Sequence, residues 1–276
     1  MSSLFSLDRK VVLVTGAAGL IGREICSAYV EHGARVLMTD LGPATTLERL
    51  ALRFAKKYPA SPPPLALAAD VTDDASVRAL FSALARATNG RLDVLVNLAA
   101  IDAKFDAKAS AVEASRFENF PLELWEKSVA VNCTGLVRIT QAAVRLMLPR
   151  KTGHIINVAS TYSLVAPNQE LYRFPGERRQ KFKPVDYVAT KSMVPNFTRY
   201  LATLYARDGL RANCLVPHGV ENRHPPKFRR NFSRLSPLGR MCALAELRGP
   251  FVFLASDASS YMTGSTLVVD GGWTAW

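Results

Sequence analysis

The chain has 276 residues, 49% of them hydrophobic, and a formal net charge of +12. This composition predicts an ordinary folded protein, because it supplies enough apolar surface for a sizeable core. No run of about 18 apolar residues could span a bilayer, and the N-terminus lacks the pattern of a signal peptide, so we expect a soluble, cytoplasmic protein.

Seven apolar runs alternate with segments of helical period along the chain. The runs are unbroken, which is typical of strands that are covered on both faces. In chain order they start at Lys10, Ala34, Pro64, Leu92, His154, Leu210 and Ser265. Because strands and helices alternate without a linker, the sequence predicts an α/β fold. We expect a single doubly wound, Rossmann-type domain over residues 1–276, with a seven-stranded parallel sheet flanked by helices on both faces.

The first apolar run leads into the glycine-rich stretch TGAAGLIG and then into an amphipathic helix. Gly16, Gly19 and Gly22 allow a tight turn, close approach of the main chain to a pyrophosphate, and packing of helix on strand. The free N–H groups of the helix would then face the phosphates. Such glycines also occur in plain turns, but the strand before them and the helix after them favour a dinucleotide site.

Asp40 ends the second apolar run. A carboxylate at this position can accept hydrogen bonds from the adenosine ribose hydroxyls and repel a 2′-phosphate. The alternative is that Asp40 only caps a turn or helix. We interpret it as a selector for NAD over NADP.

Three motifs resemble the short-chain dehydrogenase/reductase family over essentially the whole chain: TGAAGLIG, the YxxxK match in YVATK, and the closing YMTGSTLVVDGGW. The resemblance implies a catalytic tetrad, which consists of Asn132, Ser160, Tyr187 and Lys191. It also implies a set of cofactor-binding residues: Gly16, Gly19, Leu20, Ile21, Gly22, Asp40, Asp70, Val71, Asn97, Ala99, Tyr187, Lys191, Pro217, Val220 and Asn222. In the family, the positions of Asp70 and Asn97 contact adenine and support the central strand, respectively.

The chemistry of the tetrad follows from the pKa of a phenol, which is near 10 in water. Tyr187 can act as a base at neutral pH only if cations stabilise its phenolate, and Lys191 lies on the same helical face. Ser160 would bind the substrate oxygen, Tyr187 would exchange the hydroxyl proton, and Asn132 would hold a relay water. The YxxxK spacing alone also fits a merely structural pair. Pro195, further along this helix, predicts a kink or a water-filled gap.

Most of the positive charge lies in two segments near the expected active site. Residues 171–183 carry a net charge of +4 and residues 222–240 a net charge of +6. The first belongs to an inserted segment, about 166–184, and the second to a substrate loop, about 221–240. Arginines that converge on one site would favour an anionic substrate, but solvated loops are the alternative. The predicted substrate residues are Tyr162, Arg173, Arg178, Arg179 and Arg223.

These observations leave three functions open. The first is an NAD-dependent dehydrogenase of a phosphorylated or nucleotide-linked sugar, since ENFPLELWEKSVAVNCTGL, VAPNQELYR and DGGWTAW resemble dehydrogenases of flagellin modification and surface-sugar synthesis. The second is a dehydrogenase of a non-sugar secondary alcohol or a 3-oxoacyl compound. The third is a non-catalytic nucleotide sensor or nucleic-acid-binding protein, against which the tetrad argues.

Metal ions, membranes and nucleic acids are not among the partners that we expect. The four cysteines are scattered and form neither a zinc-binding nor a disulfide pattern. The partner should be a small-molecule substrate, and the family resemblance implies a homotetramer or a homodimer.

Overall fold

A computed structural model describes residues 4–102, 109–174, 176 and 180–276. Its described strands form one parallel sheet of seven strands. Their bounds are β1 Val11–Thr15, β2 Arg35–Thr39, β3 Leu65–Ala66, β4 Val94–Asn97, β5 Gly153–Val158, β6 Leu210–Pro217 and β7 Thr266–Val269. The order across the sheet is β3-β2-β1-β4-β5-β6-β7. The predicted fold class is therefore confirmed, and each strand coincides with one of the seven apolar runs, except that β5 begins one residue before its run, at Gly153.

Helices connect the strands and cover both faces of the sheet. In the described residues they are α1 Leu20–Glu31, α2 Ala44–Lys57, α3 Asp74–Thr88, α4 Ala109–Ala114, α5 Leu122–Val129, α6 Leu136–Met147, α7 Val185–Tyr205, α8 Pro226–Leu235 and α9 Arg248–Ala255. A single π-helical turn, Ala130–Gly135, joins α5 to α6. Pro195 does not end α7, which is continuous through this residue.

The two faces of the sheet pack against separate apolar cores. Val12 and Val14 of β1 belong to the core that includes α1 and α9. Leu13, which points to the opposite face, belongs to the core that includes α3 and α6. Because every second residue of a central strand enters a core on each side, the strand is apolar throughout, which explains the unbroken runs.

The strand order places a binding site at the carboxyl ends of the central strands. The chain crosses from β1 to β2 on one side and later returns to β4 on the other, so β1 and β4 form the switch point of the sheet. Ligands of such sheets bind in the crevice beyond this point. A cavity of about 1210 Å³ opens there, lined by residues that follow β1, β2, β4, β5 and β6.

The inserted segment and the substrate loop pack against each other at one end of this cavity. Leu171 of the insertion, Phe232 of α8, Met241 and Trp273 form a small buried apolar cluster. The side-chain amide of Asn231 also donates hydrogen bonds to the carbonyls of Leu171 and Arg173. The two segments therefore form one continuous wall.

No helix in the described part of the chain is long and apolar enough to cross a membrane.

Candidate active site

The glycine turn after β1 forms one end of the cavity. Gly16 has a φ of +69°, and a Cβ at this residue would lie 2.9 Å from the Cα of Ala99. A Cβ on Gly22 would lie 2.2 Å from the carbonyl oxygen of Gly16. Only glycine fits these two positions. The main chain of the turn and the start of α1, which follows Gly19, consequently lie open to a ligand.

Asp40 and Asp70 line the cavity beyond the ends of β2 and β3. The Oδ2 atom of Asp40 accepts a hydrogen bond from the backbone N–H of Ala18 at 2.9 Å, which holds the carboxylate against the glycine turn. The Oδ1 atom of Asp70 accepts hydrogen bonds from the backbone N–H and the hydroxyl of Thr72, both at 2.7 Å. Both carboxylates are therefore fixed in orientation at the end of the cavity that suits an adenosine.

The structure brings thirteen of the fifteen predicted cofactor-binding residues to the cavity wall: Gly16, Gly19, Leu20, Ile21, Gly22, Asp40, Asp70, Val71, Ala99, Tyr187, Lys191, Pro217 and Val220. The open glycine cradle and the cavity that continues from it fit a dinucleotide.

Two predicted cofactor residues lie elsewhere, and their assignment is corrected. Asn97 is 5% exposed, and its amide donates to Thr140 Oγ1 at 2.9 Å and to Asn157 Oδ1 at 2.8 Å. It therefore joins β4 to β5 and α6 inside the protein, which matches the strand-supporting role that the resemblance implies. Asn222 is exposed and does not line the cavity.

Ser160, which follows β5, and Tyr187, in the first turn of α7, meet at the cavity wall. Burial raises the pKa of Tyr187, the Asp102 carboxylate raises it further, and the Ser160 side chain opposes this rise. Without further cations the phenol therefore keeps its proton at neutral pH, so it is poised to donate rather than accept one.

Lys191 places a cation close to the ring of Tyr187. Its side chain is buried, and its Nζ atom donates a hydrogen bond to the carbonyl oxygen of Val158 at 2.7 Å. The same atom lies 5.8 Å from the centre of the Tyr187 ring. Burial lowers the pKa of Lys191 to about 8. The ammonium is therefore still mostly protonated at neutral pH.

Asn132 lies in the π-helical turn and does not reach the cavity wall. Its Oδ1 atom accepts from the backbone N–H of Ile101 at 2.8 Å, and its amide donates to Ile101 O at 2.9 Å and to Thr190 Oγ1 at 3.0 Å. Both amide donors are engaged, so the side chain has no N–H left for a relay water. Asn132 is better described as a positioning residue that ties the loop after β4 to α7.

Sequence reasoning missed a lysine and an aspartate beside Tyr187. Lys183 forms an ion pair with Asp102, and both residues line the cavity. The Lys183 ammonium lies 4.4 Å from the centre of the Tyr187 ring. The sequence contained one usable signal, since Asp102 closely follows β4 and strand ends carry the site in this fold.

His218 is a second residue that the sequence reasoning missed. It follows Pro217 at the end of β6, is 8% exposed, and lines the cavity. Its Nδ1 atom is 2.5 Å from the hydroxyl of Thr161. Burial lowers the pKa of His218 to about 4, so the imidazole is neutral at neutral pH.

The wall opposite the glycine turn is largely aromatic. Tyr162, a predicted substrate residue, does line the cavity, and its hydroxyl is 3.3 Å from that of Tyr172. The other ring-bearing residues of this wall are Phe182, His218, His224, Phe228 and Phe232. A substrate at this wall would meet aromatic faces and hydroxyl groups.

The predicted arginine site is not found in the described residues. The side chain of Arg173 is 62% exposed and pairs with Glu170, and Arg223 is also exposed. Neither lines the cavity, whose described cationic residues are the lysines Lys127, Lys181, Lys183 and Lys191. Arg178 and Arg179 lie outside the described residues.

Comparison with known proteins agrees with this fold and site. A family model described as "Enoyl-(Acyl carrier protein) reductase" matches residues 16–274. A D-threitol dehydrogenase from Mycolicibacterium smegmatis is 35% identical, with 98% of this chain and 95% of the relative covered. A galactitol 2-dehydrogenase (L-tagatose-forming) from Cereibacter sphaeroides is 32% identical, with 99% and 98% covered.

A solved structure extends the comparison to three dimensions. It is a gluconate 5-dehydrogenase from Burkholderia cenocepacia J2315 in complex with NADP and tartrate. It is 29% identical, has a TM-score of 0.84, and covers 99% of this chain and 98% of its own. The fold, the site and these matches define an oxidoreductase that uses a nicotinamide cofactor. The chain belongs to the short-chain dehydrogenase/reductase family.

Proposed function

We propose that the protein oxidises a secondary alcohol of a neutral polyol, or reduces the matching ketone, with NAD(H). One observation carries the proposal: Ser160 and Tyr187 meet at the wall of a cavity that begins at a glycine cradle, and the Lys191 ammonium lies 5.8 Å from the centre of the Tyr187 ring. This arrangement sets two hydroxyl groups and one ammonium around the place where an alcohol oxygen would be held.

The mechanism divides the work between three side chains. Ser160 and Tyr187 hold the substrate oxygen by hydrogen bonds, which directs the carbinol C–H towards the cofactor. When bound, nicotinamide supplies the acceptor or donor of hydride. In oxidation, Tyr187 takes the hydroxyl proton as the carbinol hydrogen leaves with its electron pair. Lys191, together with the positive charge that a bound oxidised nicotinamide would add, stabilises the phenolate form that Tyr187 needs to accept this proton.

The polyol class is supported by two independent arguments. The relatives described above are named for threitol and galactitol, which are neutral polyols. In addition, the described cavity wall offers hydroxyl groups and aromatic faces, one of its four lysines is paired with Asp102, and its described residues include no arginine. The phosphorylated or nucleotide-linked sugar and the flagellin-modification subgroup gain no support from either argument. A 3-oxoacyl or other non-sugar substrate is the alternative.

A substrate panel tests the proposal. We expect the purified protein to form NADH from one or more of threitol, erythritol, sorbitol and galactitol. Sugar phosphates should give little turnover, and a short 3-oxoacyl ester assayed with NADH tests the alternative. Turnover that is confined to sugar phosphates would contradict the neutral-polyol assignment.

NAD is the proposed cofactor because of Asp40, although the gluconate 5-dehydrogenase described above binds NADP. The carboxylate at the end of β2 would repel a 2′-phosphate. Replacing Asp40 with serine should shift the ratio of kcat/KM for NAD to that for NADP towards NADP by about 10- to 100-fold. The exposed Glu48 of α2 does not line the cavity. Glu48→Gln is therefore the matched control, and an equal shift in that variant would remove the role from Asp40.

The assembly and location of the protein stay at the level of proposals. From the family resemblance we propose a single-domain protomer that forms a homotetramer or homodimer in the cytoplasm. Sedimentation of the purified protein would measure the assembly directly.

A further inference from the structure

The ion pair of Asp102 and Lys183 lies next to the reacting phenol but has no part in the steps above. Asp102 follows β4, and Lys183 immediately precedes Pro184, the residue that caps α7. The side chain of Lys183 is 10% exposed and that of Asp102 is 34% exposed. Since both line the cavity, the pair presents charged atoms to a substrate that is held at Tyr187.

The influence of Asp102 extends over the whole substrate end of the cavity. Burial raises the pKa of Tyr187, Tyr162 and Tyr172, and the Asp102 carboxylate raises each of these pKa values further. Lys183 faces the same tyrosines, with its ammonium 5.7 Å from the centre of the Tyr162 ring. The pair is therefore central to this end of the cavity and is not a surface contact.

The hydrogen bonding of the pair is incomplete. Asp102 Oδ2 accepts from the Lys183 ammonium, whereas Oδ1 is buried and has no hydrogen-bond partner in the described part of the chain. An ammonium has three N–H donors, and the described residues accept a hydrogen bond from it only at Asp102. The remaining N–H groups of Lys183 and the exposed part of the Asp102 side chain are therefore open to a ligand hydroxyl group in the cavity.

We propose that Asp102 and Lys183 bind a second hydroxyl group of the substrate, adjacent to the carbinol that reacts at Tyr187. This inference rests on the proposed function as an alcohol dehydrogenase and specifies its substrate as a vicinal diol. One hydroxyl group can donate its proton to the Asp102 carboxylate and accept an N–H from Lys183, so it binds both partners at once.

The same pair discriminates against anions. A carboxylate or phosphate in the position of the second hydroxyl group would be attracted by Lys183 but repelled by Asp102. It also has no proton to donate to the Asp102 carboxylate. A monohydric alcohol has no second hydroxyl group, so it forms no hydrogen bond with Asp102 or Lys183. The order of preference should therefore be vicinal diol, then monohydric alcohol, then 2-hydroxy acid.

The experiment compares three alcohols with one carbon skeleton: butane-2,3-diol, butan-2-ol and 2-hydroxybutyrate. We expect Asp102→Ala to lower kcat/KM for the diol by about 10- to 100-fold, because it removes a hydrogen bond to a charged group. The value for butan-2-ol should change by a much smaller factor, which reports only the effect of the carboxylate on the pKa of Tyr187. Asp102→Asn removes the negative charge and should raise kcat/KM for 2-hydroxybutyrate severalfold.

A second lysine–aspartate pair provides the matched control. The Nζ atom of Lys10 lies 2.7 Å from Oδ1 of Asp257, and the side chain of Asp257 is 72% exposed. Lys10 precedes β1, so this pair lies at the opposite end of the sheet from the cavity. Asp257→Asn makes the same change of charge and should leave all three substrates unaffected.

The proposal is overturned if Asp102→Ala lowers kcat/KM for the diol and for butan-2-ol by the same factor, since the pair would then act only on Tyr187 or on folding. Thermal unfolding checks the fold, and Lys183→Gln repeats the comparison if Asp102→Ala is unstable. If the proposed function itself is wrong, the result is different, because the wild-type protein would then form no NADH from any alcohol.

Discussion

Replacing Tyr187 with phenylalanine should lower kcat/KM for the alcohol by about 10²- to 10⁴-fold, the usual contribution of a positioned acid or base. The variant loses one oxygen atom, the phenol oxygen of Tyr187, which lies near Ser160 at the cavity wall. The packing of the ring can remain unchanged. NADH affinity, measured by fluorescence titration, should therefore stay close to that of the wild-type protein.

Tyr200→Phe is the matched control for this variant. Tyr200 lies on the same helix, α7, but is 59% exposed and does not line the cavity. Its loss of a hydroxyl should leave turnover intact. Near-normal turnover of Tyr187→Phe would show that the proton is carried by another group, and the mechanism would have to be abandoned.

Replacing Lys191 with methionine should abolish most turnover and yet stabilise the protein at neutral pH. The side chain is buried, and burial lowers its pKa from 10.5 to about 8. The folded state therefore holds the charged lysine at a cost of about 3 kcal/mol at most, since one pKa unit corresponds to ~1.4 kcal/mol. Methionine fills a similar volume without this cost, but it leaves the carbonyl of Val158 without its donor, which offsets part of the gain.

The pH dependence of this gain has a definite sign. Below pH 8 the lysine is protonated in both folded and unfolded states, so the cost is fully present. Between pH 8 and 10.5 the unfolded state binds more protons, and the stability of the wild-type protein rises relative to Lys191→Met. Urea unfolding of both proteins at several pH values measures the difference. The exposed Lys56→Met variant should show no such trend.

A stability difference between wild type and Lys191→Met that is independent of pH would contradict the burial argument. A variant that keeps normal turnover would contradict the role of the ammonium in stabilising the phenolate.

The sheet and the glycine turn could be predicted because each depends on a strong local constraint. Central strands must be apolar on both faces, so Val12, Leu13 and Val14 are adjacent in the sequence. Gly16 and Gly22 occupy positions where a Cβ would collide with the main chain. Constraints of this kind fix the type of residue at regular spacing in the sequence. The order of strands and helices can therefore be predicted without knowledge of tertiary contacts.

The direction of long side chains could not be predicted in the same way. Arg173 and Lys183 belong to the same basic segment, but Arg173 turns to water and Lys183 turns into the cavity. The difference depends on Asp102, which comes from a distant strand end. Net charge along the chain contains no information about this pairing. The anionic substrate was predicted from charge and from the resemblance to dehydrogenases of surface-sugar synthesis, and it is the least supported part of the sequence analysis.

The hydrogen-bond partners of Asn97 and Asn132 could not be predicted for a related reason. Both are near the site in sequence, but their amides are engaged by Thr140, Asn157, Ile101 and Thr190. Hydrogen-bond partners of buried amides are set by tertiary structure, so a motif gives the position of an asparagine but not its task.

Deuterium transfer tests the central claim most directly. The alcohol that gives most NADH in the panel would be labelled with deuterium at its carbinol carbon and incubated with NAD and the protein. Hydride transfer at Ser160 and Tyr187 predicts that recovered NADH carries one deuterium, and that none forms with Tyr187→Phe. Unlabelled NADH, or labelled NADH formed equally well by Tyr187→Phe, would contradict the account.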